Sequence, residues 1–276
     1  MVVASIFFGA MTGFVKFASE TLPIFEIVFF RSLLGSLMMA FVILREKGSF
    51  VGKNPFVLAL RGIFGSSALI MNFYAISKLS LGIAVILNYT SPIFVAVIAI
   101  LLLKEEISGI LWLLTSMCFI GVYLLVGPQF SFKSFPIMIG LFSGFMAALA
   151  YITIRIASKE ETSNTIIFYF TTVATIGSFP LLCYGFQVPN AKEWFEILGI
   201  AVTSFFGQMF MTKSIHEAPA SVVCPFSYFA PVFSFILGSV IWKDPSTLGT
   251  VVGTVFVITS GALIYFFESR PEPMAD

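Results

Sequence analysis

Two arginines of this 276-residue chain lie well inside apolar runs, Arg31 in IFEIVFFRSLLG and Arg61 in PFVLALRGIFG. At 1.5 Å per residue Arg31 stands roughly 10 Å inside its run, and Arg61 is nearly as deep from the opposite side. A guanidinium at that depth offers a planar fork of donors to a carboxylate or phosphate, or it clamps backbone carbonyls of neighbouring helices. A second polar group gathers beside prolines. In NYTSPIFVAVIAILLLKE, residues 88–105, Asn88 and Ser91 are three apart and share a helical face, and Pro92 frees a backbone carbonyl one turn earlier. SYFAPVFSFILGSVIWKD, residues 227–244, repeats this with Ser227, Tyr228 and Pro231. Asn72, Tyr151 and Gln208, in three other apolar runs, extend the set. Such residues recognise a polar solute by hydrogen bonds, or they hydrogen-bond helix to helix. Pro92 and Pro231 are natural hinge or gating points.

Bond-making chemistry needs other residues. Cys118, Cys183 and Cys224 have no C-x-x-C spacing and read as small buried hydrophobes, with His216 the only histidine. Neither a metal site nor a cofactor is expected, and no residue is assigned a catalytic role. The acidic pairs Glu105-Glu106 and Glu160-Glu161, and His216-Glu217, sit near lysines and read as solvated turns. A polytopic membrane enzyme acting on lipid-linked substrates is the alternative function, and it needs an acid-base or metal cluster that these turns do not form.

The elements that hold these residues are set by composition. With 58% hydrophobic and 11% charged residues, the chain is built for lipid, so the bilayer is its first partner. A net charge of +1 provides no basic face for nucleic acid. A span needs about 20 apolar residues. Ten runs qualify: Val2 to Ala18, Ile24 to Leu44, Pro55 to Ser77, Leu81 to Leu103, Ile107 to Val126, Phe135 to Ala157, Asn164 to Phe186, Trp194 to Thr212, Ala220 to Trp242 and Leu248 to Phe267. The expected fold is an all-α integral membrane protein. Lipid-edge residues Lys16, Lys78 and Arg155 read as interfacial anchors. No aspartate falls within a span and Glu26 lies at the entrance of its own, which favours a facilitator or exchanger over a proton pump.

The two proline-containing stretches share an offset of 139 residues, which pairs Tyr89 with Tyr228, Pro92 with Pro231, Lys104 with Lys243 and Glu105 with Asp244. The same offset pairs Lys16 with Arg155. The chain thus reads as a five-helix repeat over residues 1–130 and a second over 135–268, with a short tail, 269–276. Five spans is an odd number, so the second copy enters the membrane upside down. Inverted-topology repeats characterise secondary transporters, which bind substrate at the midplane where the repeats meet. The glycine pairs Gly9/Gly13, Gly140/Gly144 and Gly249/Gly253 have the spacing that lets helices approach closely, within the chain or across a homodimer.

Residues 60–128 resemble the EamA-type transporters of the drug/metabolite transporter superfamily. The resemblance is carried by the RG of Arg61-Gly62, the FYA of residues 73–75, the mid-span Pro92 and the terminal KE of Lys104-Glu105; FRSLLG, residues 30–35, is similar to the second-span arginine motif. SYFAPVFSFILGSVIWKD fits the second copy, whereas Ile200-Ala201 stands where a second RG would fall. The resemblance implies ten transmembrane helices in two inverted five-helix repeats. It also implies alternating-access transport of a small organic metabolite, amino-acid-like or otherwise anionic, zwitterionic or drug-like. Family members handle unrelated solutes, which at this stage favours a structural role for both arginines.

Eight cations (Arg45, Lys47, Lys53, Lys104, Arg155, Lys159, Lys213, Arg270) fall on the side of the N-terminus, against five (Lys16, Lys78, Lys133, Lys192, Lys243) on the other. By the positive-inside rule both termini are cytoplasmic, as in a bacterial-type inner membrane. In a cysteine-free background, Gly48→Cys should therefore be shielded from an impermeant thiol reagent added outside, and Gln129→Cys should label. Equal labelling would break the parity on which the inverted repeat depends.

Overall fold

The computed structural model describes residues 1–79, 87–104, 107–126, 134–233, 236 and 248–268. Ten helical elements follow in order: α1 (Val2–Ala18), α2 (Ile24–Arg45), α3 (Pro55–Lys78), α4 (Ser91–Ile98), α5 (Gly109–Val126), α6 (Ser134–Ala157), α7 (Ser163–Ser178), α8 (Ala191–Glu217), α9 (Ala220–Val223) and α10 (Leu248–Glu268). α4 runs on through a π-turn, Ala99–Leu103, which closes on Lys104 in the left-handed region. α9 runs on through a 3-10 segment, Cys224–Tyr228. By length and composition α2, α3, α6, α7 and α8 can each cross a bilayer, and the remaining helices are shorter and apolar.

Local chemistry sets the ends. Asn54 caps α3 ahead of Pro55, and Thr162 caps α7 by accepting from the Thr165 N–H. α7 is shorter than its apolar run, because Pro180 cannot continue the hydrogen-bond ladder and Phe179–Tyr184 tightens into a 3-10 turn. Cys183 on that turn is exposed, so the expectation of three buried cysteines holds for Cys118 and Cys224 only. α8 begins earlier and ends later than expected. Asn190 and Glu193 form a capping box, with Asn190 N donating to Glu193 Oε2 at 2.7 Å, and this draws Glu193 into the helix. Glu196 lies 3.7 Å from Lys192.

Packing repeats in an inverted sense. α3 packs on α6 as α1 packs on α8, and α3 meets α7 as α2 meets α8. The pairs α2–α7 and α5–α10 join equivalent elements of the two halves. The same crossing is built twice in detail. Ser5 Oγ donates to Phe226 O at 3.0 Å, while at the equivalent positions a Cβ added to Gly144 would lie 2.8 Å from Leu87 O. The Gly140/Gly144 pair therefore serves close packing within the chain.

Each end ties one repeat to the other. At the Arg45 end, Glu161 Oε1 accepts from Lys53 N and from Asn54 N at 2.6 Å, Thr165 Oγ1 donates to Ser49 O at 2.9 Å, and Tyr169 OH donates to Val51 O at 2.9 Å. There, too, Arg155 Nη1 donates to His216 O at 2.9 Å and closes the end of α8, which is more than the lipid-edge anchoring expected of it. At the opposite end Glu26 Oε2 accepts from Gln187 N at 3.1 Å.

In lipid, helices are held by van der Waals fit rather than by expulsion of water. A Cβ on Gly121 of α5 would meet Gly253 O of α10 at 2.8 Å, whereas one on Gly177 meets nothing within 4 Å. Gly121→Ala should cost about 1–3 kcal/mol by overpacking, and Gly177→Ala should be neutral or slightly stabilising. Thermal loss of the monodisperse detergent-solubilised species measures both; equal stability of the two variants would disprove the contact.

Candidate functional site

The irregular turns of α4 and α9 come before their prolines, as the missing proline N–H requires. In the first half the helix loosens into a turn at Tyr89–Thr90, where Thr90 Oγ1 donates to Leu87 O at 2.6 Å, and starts again at Ser91. In the second half the 3-10 segment Cys224–Tyr228 occupies the same place. Both turns are covered by protein. Gly144 lets α6 approach the carbonyls of Leu87 and Asn88, and Asn88 Nδ2 donates to Ser143 Oγ at 3.4 Å, itself bonded to Gly140 O at 2.6 Å. The two turns meet: the rings of Tyr89 and Tyr228 lie 6.1 Å apart.

Beside this meeting point lies a cavity of about 160 Å³. Arg31, Arg61, Asn72, Asn88, Ser91, Tyr151, Gln208 and Ser227 all line it. Tyr228 does not. Its ring is fully buried in a separate cluster with Leu111, Cys118, Val232 and Val257, and its hydroxyl has no partner among the described residues. Pro92 and Pro231 are buried just after the two turns and stand outside the lining. Phe226 and Phe229, candidates for gating, stack on each other at 6.4 Å and pack against the Tyr228 cluster.

The repeat offset organises the cavity wall. Seven pairs of residues separated by 139 line it together: Phe8 with Ala147, Thr12 with Tyr151, Arg31 with Phe170, and Leu69 with Gln208. Asn72 with Met211, Asn88 with Ser227, and Ser91 with Ala230 complete the set. Phe170 and Thr12 were not singled out from sequence, yet adding 139 to Arg31 or subtracting it from Tyr151 would have found both; Tyr89 enters the sequence reading only as the repeat partner of Tyr228.

Charge is distributed unevenly over this near-symmetric wall. Arg31 and Arg61 are 4% and 2% exposed, and both guanidinium groups lie over one ring, Phe170, at 5.9 and 4.3 Å from its centroid. Arg61 Nη2 donates to Gln208 Oε1 at 3.3 Å. The Nε and Nη1 atoms of both arginines have no hydrogen-bond partner among the described residues, and the lining contains no carboxylate. Desolvating an ion costs several kcal/mol, against roughly 1–2 kcal/mol returned by a buried cation–π contact. A backbone clamp would have used those donors. Asn72 Oδ1 and Ser227 Oγ are likewise buried and unpartnered.

Towards the Arg45 end the helices pack in one apolar cluster. It draws Ala4 from α1, Leu58 from α3, Ile98 from α4, Ile154 from α6, Ile166 from α7, Ile215 from α8 and Ala220 from α9. A second hollow, about 360 Å³, lies at the opposite end between Glu26, Tyr74, Lys78 and residues 181–186. Glu26 is buried there, with Oε1 unpartnered.

The chain matches the EamA-like transporter family twice, over residues 1–127 and again over 134–266. It is 35% identical to the pseudopaline exporter of Pseudomonas aeruginosa, over 94% of this chain and 92% of that protein. It is 24% identical to the S-adenosylmethionine uptake transporter of Rickettsia prowazekii, over 92% and 87% of the two chains. A solved crystal structure at 16% identity overlays with a TM-score of 0.83, covering 97% of this chain and 96% of the other, and so shares the fold. With its ten helices in two inverted repeats and its relatives transporters rather than enzymes, the chain belongs to the EamA-like transporter family, within the drug/metabolite transporter superfamily.

Proposed function

We propose that this protein carries a small organic metabolite across a bacterial-type inner membrane by alternating access, with the cavity between the repeats as its substrate site. The observation that carries this reading is the wall built from seven residue pairs at the repeat offset. A site that serves both faces of a membrane in turn has to lie on the axis that exchanges the halves, and a wall made of equivalent positions lies on that axis. The loosened turns beside Pro92 and Pro231 give α4 and α9 places to bend, and the apolar cluster around Leu58, Ile154 and Ile215 packs the Arg45 end of the bundle. Both termini belong to that end, which positive charge assigns to the cytoplasm.

Relatives are named for export and for uptake. Their shared property is passage of a small molecule, with direction set by the gradient, in keeping with facilitation or exchange. The Gly140/Gly144 pair is used for close packing inside the chain.

Uptake of a radiolabelled solute panel into liposomes containing the pure protein tests the function. With a transported solute in hand, Asn88→Ala should raise the half-saturating concentration by about 5- to 30-fold, the loss of one good hydrogen bond of about 1–2 kcal/mol from a desolvated site. Arg31→Lys should also weaken transport, since the charge stays and the fork is lost. Lys16→Arg, at the lipid edge, should change uptake by less than twofold. If folded Asn88→Ala and Arg31→Lys both transport as the parent does, the site lies elsewhere.

A further inference from the structure

Taking the cavity as the transport site, we infer that its solute is an acidic amino acid or a close analogue: two carboxylates, one for each of Arg31 and Arg61, and an amine for the acceptors opposite.

Three observations define the ligand. The first is the donor surplus. Arg31 and Arg61 present four unpartnered N–H-bearing atoms, Nε and Nη1 of each, at 4% and 2% exposure. Guanidinium groups keep their charge, so they cannot relieve burial by losing a proton. Ionisable residues inside a bilayer pair with an opposite charge or with backbone carbonyls. Among the described residues neither serves these four atoms and no carboxylate lines the cavity, so the solute is the source of negative charge in this reading.

The second observation is that the two cations face one space without an acid between them. Both lie over the Phe170 ring, at 5.9 and 4.3 Å from its centroid, which places the two cations on one side of the cavity wall. Two like charges brought together in a cavity repel each other until anionic groups enter. One carboxylate per fork matches the donor geometry. A solute with no carboxylate leaves both forks empty, and one with a single carboxylate leaves one of them empty.

The third observation concerns the remaining polar atoms. Asn72 Oδ1 is an unpartnered acceptor, and Ser227 Oγ an unpartnered hydroxyl. An ammonium group satisfies both, whereas a fully ionised dicarboxylate offers Asn72 Oδ1 no donor. The repeat offset then orients the solute. The counterpart of Arg31 is Phe170 and that of Asn72 is Met211, so the carboxylates face the two arginines of the first repeat, while the ammonium group bridges Asn72 of the first repeat and Ser227 of the second.

Thermal stabilisation of the purified full chain in lipid nanodiscs tests this with L-glutamate, succinate, inorganic phosphate, L-glutamine and L-lysine as probes. L-Glutamate should raise the melting temperature most and succinate less, with glutamine and lysine inactive at equal concentration. Arg31→Gln and Arg61→Gln should move the glutamate midpoint at least tenfold. Should either glutamine variant fail to fold, Arg31→Lys and Arg61→Lys keep the charge and should retain the preference for glutamate over glutamine at lower affinity. Glutamine stabilising as well as glutamate, or no acid stabilising at all, overturns the proposal. Phosphate or succinate matching glutamate overturns the amine contact. If Asn88→Ala impairs transport of some solute whose charge makes no difference, the site stands and its acidic selectivity falls.

Discussion

Hydrocarbon contains nothing that can accept or donate a hydrogen bond, and the structure follows from that deficiency. Every backbone group at membrane depth must be satisfied inside the protein, so the chain is helical wherever it meets lipid and departs from helix only where another part of the chain covers it. The turn at Tyr89–Thr90 and the 3-10 segment Cys224–Tyr228 are such departures. Each is roofed by a helix from the opposite repeat, α6 over the first and α1 over the second, through contacts that a glycine or a small hydroxyl residue permits. A cavity lined by polar groups arises at that place because backbone disorder, side-chain polarity and close helix approach are tolerated together only in the protein's own interior.

The same deficiency governs the arginines. A guanidinium cannot be neutralised by burial, and the described residues give Arg31 and Arg61 an aromatic face and one amide oxygen between them. Phe170 thus stands in for a counter-ion without being one. Geometry is shared by the halves and chemistry is not: equivalent positions carry a cation in one repeat and a phenyl ring in the other. Duplication supplied the frame, and divergence gave its interior a polar side and an apolar side.

Much of this frame is legible in the sequence because apolar run length and the parity of spans are one-dimensional properties. The repeat offset reaches further, bringing Asn88, Ser91 and Ser227 to one cavity with Arg31 and Arg61. Rotation about a helix axis is harder to read. Tyr228 shares the offset of Tyr89, yet a 3-10 turn advances each residue farther round the axis than an α-turn, and its ring ends among Leu111 and Cys118. Phe170 was hidden by abundance, since one phenylalanine among thirty-four reads as packing. Glu193 was hidden by locality: its role as half of a capping box depends on Asn190, a residue that hydropathy treats as loop.

The two inverted crossings are alike in position and unlike in bonding. One is a hydrogen bond, Ser5 Oγ to Phe226 O, and the other is a bare contact of Gly144 with Leu87 O. Perfect symmetry would make the two arrangements of the halves related by a twofold rotation and equal in energy, each occupied half the time. A single hydrogen bond of about 1 kcal/mol that one arrangement keeps and the other loses shifts that balance to roughly five to one. Such a carrier would rest on one side of its cycle with no ligand or ion to hold it there, and the hydroxyl of Ser5 in the first turns of α1 is placed to set that bias.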